Sequence, residues 1–138
     1  MIDYDKFKKA LKHLELQYDN YKTFDPEQPQ LVQEAVAESV IQRFETCYDC
    51  LWKVLKRYLL DELGIPEVAN SPNKVFRLAG ENDLFASSVD QWLSYSQARI
   101  DTSHDYSGEK AADALELMGD FVDDALGLFQ TMSGETWE

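Results

Sequence analysis

The chain has 138 residues, 44% of them hydrophobic, which suits one folded domain over 1–138 and is too short for two large ones. Twenty-six acidic against thirteen basic residues give a net charge of −13; this excludes a general DNA- or RNA-coating protein, whose surface carries a basic excess. No apolar run approaches the roughly 18 residues of a spanning helix, and Met1-Ile2-Asp3-Tyr4-Asp5 lacks the basic and apolar segments of a secretion signal, so the expected location is cytoplasmic with no membrane association.

Residues 4–23 place Phe7, Leu11, Leu14, Tyr18 and Tyr21 at steps of 4, 3, 4 and 3, the stripe of an amphipathic helix. His13 falls off that stripe and reads as a solvated surface residue. Asp25-Pro26-Glu27-Gln28-Pro29 breaks the helix, because each proline disfavours helical backbone in the residue before it. A longer helix is predicted from about residue 30 to 63, ending at Gly64 with Pro66 beyond. Its seam is Val36, Val40, Phe44, Cys47, Leu51, Leu55 and Tyr58; Trp52 and Val54 widen it, as burial on two sides or contact with another chain would require. Cys47 and Cys50 form a lone Cys-x-x-Cys inside this helix. That is too few ligands for zinc and the wrong place for a redox pair, so both read as packing residues, with no metal and no cofactor expected.

Ser71-Pro72 reads as the start of a short helix through Val75, Phe76, Leu78 and Ala79. Residues 80–86 are expected to turn. Ser87 or Ser88 then caps a helix carrying Val89, Trp92, Leu93 and Ser96 up to Arg99. Ser107-Gly108-Glu109 opens a last helix with Leu115, Met118, Val122, Ala125 and Phe129 on one face, and the tail 131–138 is expected to fray. With no strand signal, the predicted fold is all-α: an antiparallel bundle of three longer and two shorter helices.

The chemistry-bearing stretch is Arg99-Ile100-Asp101-Thr102-Ser103-His104-Asp105-Tyr106. Arginine presents a planar fork of donors that matches phosphate oxygens, and histidine can take and return a proton near neutral pH. Together they suit transesterification at a phosphodiester. The same pair also suits a plain helix C-terminus, where cations face the negative end of the macrodipole.

With its surroundings, this stretch resembles the HEPN superfamily, in particular the branch of nucleotidyltransferase substrate-binding proteins. The resemblance rests on Tyr48, Trp52, Lys53, Leu55, Lys56 and Tyr58, then Ser71-Pro72 with Val75-Phe76-Arg77. Asp90, Trp92-Leu93, Arg99 and Thr102-Ser103-His104-x-Tyr106 complete it. It covers most of the chain, and Arg-x4-His-x-Tyr is its most specific part. The resemblance implies a HEPN-like bundle of four to five helices that forms a homodimer, with two motifs facing one cleft. It implies a toxin that is a metal-independent endoribonuclease acting on RNA, with Arg99 and His104 catalytic and Asp101, Thr102 and Ser103 supporting. The implied partner is a cognate minimal nucleotidyltransferase antitoxin that AMPylates Tyr106. The alternative is a non-catalytic substrate-binding partner of that enzyme. Ile100 departs from the pattern, which usually has a polar residue after the arginine.

Overall fold

Apolar residues at three- and four-residue steps bury one stripe of α1 (Asp5–Lys22), with Phe7, Leu11 and Leu14 fully enclosed. The computed structural model describes residues 2–105 and 108–137, and among these the chain forms five helices and no strand. After the proline-broken connection comes α2 (Gln30–Asp61), which packs against each of the other four helices. That central place explains its two apolar faces. Val40, Phe44, Cys47, Leu51 and Leu55 are buried on one side, and Ile41, Tyr48 and Leu59 extend the stripe. Gly64 sits at φ 64°, the left-handed conformation that glycine adopts without a Cβ penalty, and turns the chain out of the helix as expected.

The second half is α3 (Pro72–Glu81), α4 (Val89–Thr102) and α5 (Gly108–Ser133). Ser88 caps α4, its hydroxyl accepting the Gln91 N–H at 3.2 Å. An aromatic cluster then fixes α4 in the bundle. Trp92 lies 5.3 Å from Phe76 of α3, Tyr95 lies 5.1 Å from Phe121 of α5, and Phe121 meets Phe44 of α2 edge-on at 4.9 Å. The Tyr95 hydroxyl donates to Asp124 at 2.5 Å, and Ser87 donates to the same carboxylate at 2.6 Å, tying the entry of α4 to α5. The all-α antiparallel bundle read from the sequence is the fold observed.

Two local expectations change. The turn expected from residue 80 begins after Glu81, because α3 runs on past Gly80. Helix α4 does not stop at Arg99; it continues to Thr102, whose side chain is fully buried against α2. At the end of the chain α5 runs to Ser133, and Trp137 packs edge-on against Phe129 at 5.3 Å with its indole N–H 3.3 Å from Glu15. One aromatic residue supplies the contact that a polar tail would lack.

Candidate functional site

Arg99 lies in the last turn of α4, and its guanidinium reaches across to α2. Nε donates to Asp49 Oδ1 at 3.3 Å and Nη2 to Asp49 Oδ2 at 3.2 Å, a two-pronged pair, while Nη1 donates to Glu45 Oε2 at 3.1 Å. The Thr102 hydroxyl donates to that same Glu45 oxygen at 3.1 Å. Glu45 is 8% exposed, so the inner half of this arrangement is shielded from water. The Asp49 side chain, at 43%, is the outer half. The motif is therefore anchored by two carboxylates one helical turn apart, neither of which stood out in the sequence. A carboxylate at position 45 sits four residues after Ile41 and three before Tyr48, on the second apolar face of α2; that interruption was the available signal.

Arg99 and Asp49 open onto a cleft of about 410 Å³ between α2, α4 and the first turn of α3. Tyr48 and Trp52 line it from α2, and Ser71, Pro72 and Asn73 line it from α3. The buried Tyr48 hydroxyl lies 2.8 Å from Ser96 Oγ. Burial pushes the Tyr48 phenol pKa up and Asp49 adds to this, while the Ser96 hydrogen bond and the Arg99 charge pull the other way. Asn73 Oδ1 is buried without a hydrogen-bond partner among the described residues.

The remaining motif residues divide. Ile100 and Ser103 join Arg99 in the cleft lining, Ile100 at 54% exposure. The Ser103 hydroxyl donates to the Ile100 carbonyl at 2.7 Å and closes the helix end. Asp101 points to another face, where it accepts from Gln97 at 3.0 Å and lies 3.7 Å from the Lys110 ammonium of α5. His104 is exposed in the turn just after α4. Tyr106 lies outside the described residues. His13 is exposed on α1, its Nδ1 3.4 Å from Arg43 Nη1. Among the described residues no group of three or more His, Cys, Asp or Glu could hold a metal ion, and no helix is long and apolar enough to cross a membrane. What the arrangement can do is hold a planar cation at a cleft mouth, with a proton-transfer group a few residues on.

Residues 2–133 match the sequence profile of the family described as "Nucleotidyltransferase substrate binding protein like". The chain belongs to that family. This agrees with the HEPN-type resemblance carried by Tyr48, Trp52, Ser71-Pro72 and Arg99, which meet in one cleft. Among curated relatives, the "Probable ribonuclease HepT" of Haemophilus influenzae is 28% identical over 119 residues, covering 82% of this chain and 77% of its own. A solved Haemophilus influenzae structure, described as revealing the fold of a substrate binding domain of a nucleotidyltransferase, superposes with a TM-score of 0.80. It is 24% identical and covers 95% of this chain and 99% of its own, a likeness of fold. A Thermus thermophilus structure superposes with a TM-score of 0.71 at 27% identity, covering 93% of this chain and 96% of its own.

Proposed function

We propose that this family member is a metal-independent endoribonuclease in which His104 moves the proton and Arg99 binds the scissile phosphate. The neutral imidazole of His104 takes the proton of a ribose 2′-hydroxyl, and the oxygen attacks the adjacent phosphorus. The bond to the 5′-oxygen breaks, the leaving oxygen takes up a proton returned by the imidazolium, and a 2′,3′-cyclic phosphate remains. Arg99 meets the charge that grows on the phosphorane oxygens. The observation that carries this reading is the Arg99 fork at the mouth of a cleft that also offers the half-buried Trp52 indole to a base. The likeness to a relative described as a probable ribonuclease supports it.

In this reading Thr102 fixes Glu45, Ser103 closes the helix end at the cleft, and Asp101 ties α4 to α5, so the three support the motif. Two copies pair so that their motifs share one cleft, with exposed Ile100 and half-buried Trp52 as an apolar rim. The protein acts as the toxin of a pair, and a cognate minimal nucleotidyltransferase restrains it. The Tyr106 phenolic oxygen takes the adenylyl group of ATP and pyrophosphate leaves. Charge and bulk then sit two residues from His104, where they repel an RNA phosphate.

A second reading is favoured by one observation. The Arg99 charge is already matched by Asp49 and Glu45, as in a structural ion pair. The chain would then be a non-catalytic partner that presents substrate to a nucleotidyltransferase. Incubating partner-free protein with total RNA in EDTA, beside His104→Ala, separates the two. The ribonuclease reading expects cleavage by the wild type, 2′,3′-cyclic phosphate ends, and a loss of roughly 10²–10⁴-fold in the variant. No cleavage by either, once intact mass shows no AMP on Tyr106, selects the binding partner.

A further inference from the structure

A second cavity, of about 530 Å³, lies between α1 and α2, on the other side of Asp49 from the Arg99 cleft. Lys6, Lys53 and Arg57 bring three cations to its lining, in a chain with twice as many acids as bases. Phe7, Cys50 and Val54 supply an apolar part. Two carboxylates also line it: Asp3 accepts the Asp5 N–H at 2.9 Å at the start of α1, and Asp49 pairs with Arg99 across α2. Arg57 is paired with Asp61 at 2.7 Å. Lys6 and Lys53 have no carboxylate partner among the described residues.

Both ammonium groups act on one point. Burial and then Asp49 raise the pKa of the half-buried Cys50 thiol, while Lys53 and Lys6 each pull it down. Two unmatched cations beside an apolar slot suit a nucleotide, with its phosphate between the lysines and its base on the slot. An acidic protein segment would use the cations and leave the slot empty. Position completes the case. Asp49 lines both cavities, and Trp52 and Lys53 are neighbours on α2 facing one cavity each, so a strand leaving Arg99 crosses α2 there.

We propose that this cavity is a subsite for single-stranded RNA, seating a nucleotide that flanks the cleaved bond, with its phosphate held by Lys6 and Lys53. The inference rests on the ribonuclease reading for the direction of the strand. It gives an acidic protein a local place of attraction for RNA beside the Arg99 cleft.

The test uses a short fluorescent oligoribonucleotide and full-length His104→Ala protein, with and without Lys6→Ala and Lys53→Ala. Affinity is measured across salt concentration, and iodoacetamide alkylation of Cys50 reports occupancy. The expected result is weaker binding and a salt slope shallower by about 0.7 for the double lysine variant, at roughly 0.7 for the one phosphate the two lysines hold on a single strand. The oligonucleotide should slow Cys50 alkylation in the parent but not in that variant. Unchanged affinity and slope would overturn the subsite, while cleavage by the wild type would leave the ribonuclease reading intact. Lysine-dependent binding without wild-type cleavage would keep the subsite and remove the nuclease. Lost docking of the nucleotidyltransferase with RNA binding untouched would assign the cavity to that protein and overturn the proposal.

Discussion

Arg99 Nη1 lies 3.1 Å from Glu45 Oε2, joining the end of α4 to the middle of α2 across 54 positions of sequence. The Thr102 hydroxyl reaches the same oxygen, so one buried carboxylate holds both ends of the last turn of α4. Replacing Glu45 with alanine removes a charged acceptor from two donors, which costs about 2 kcal/mol. Glu45→Ala is therefore expected to melt roughly 8 °C lower, and Glu45→Gln, which keeps an acceptor for Thr102, by less. An alanine variant as stable as the wild type in calorimetry would show that this carboxylate does not anchor the motif.

Asp49 is the removable half of the clamp. It is more exposed than Glu45, and Arg99 must leave it to meet a phosphate. Asp49→Asn is expected to release positive charge into the cleft. In the His104→Ala background, an RNA oligonucleotide should bind more tightly and its salt slope should steepen by about 0.7. Unaltered binding would mean that the Arg99 charge never reaches the ligand.

Much of the bundle was legible in the sequence, because three- and four-residue spacing, prolines and Gly64 act locally. What escaped was decided across the fold. Helix α4 outlasts its expected end because buried Thr102 finds a carboxylate 57 positions away. The roles of Glu45 and Asp49 depend on Arg99, which reaches them from another helix 54 and 50 positions away. Trp52, expected only to widen the apolar face of α2, lines a cleft with Arg99 and Ser103, whereas Asp101 shows that adjacency in a motif does not bring a side chain to the same face.

A buried and a half-buried phenol give the fold an alkaline limit. Tyr95 is raised well above the usual tyrosine value by burial and by its bond to Asp124, and Tyr4 is pushed up to about 12, first by burial. Unfolded tyrosines release their proton near the ordinary value of 10.0, while these stay protonated in the folded chain. Their stabilising contribution is therefore complete below pH 10 and is lost as pH rises above it, for Tyr95 at up to about 1.4 kcal/mol per pH unit. Urea midpoints measured from pH 8 to 11 should fall at the alkaline end, less steeply in Tyr95→Phe. Equal slopes would contradict this assignment.

Gly80 and Gly127 should respond oppositely to alanine. A Cβ on Gly80 would overlap the Val89 Cγ2 methyl at the first residue of α4, whereas Gly127 has nothing within 4 Å. Overpacking costs about 1–3 kcal/mol against a helix-propensity gain of about 1 kcal/mol, so Gly80→Ala is expected to melt below the wild type. Gly127→Ala should gain about 0.4–1 kcal/mol. Thermal melts of the two variants decide it, and a stabilised Gly80→Ala would show that α3 and α4 are not in close contact there.

The central claim is that Arg99 serves the scissile phosphate and not only the ion pair with α2. The most direct measurement is single-turnover cleavage of a defined oligoribonucleotide in EDTA by wild type, Arg99→Ala and Arg99→Lys. Lysine keeps the charge but loses the planar fork. The expected result is cleavage by the wild type, a rate lower by roughly 10²-fold or more in alanine, and partial recovery in lysine, with all three folded by circular dichroism. Equal cleavage by all three proteins, or by none, would contradict it and leave Arg99 as a strut between two helices.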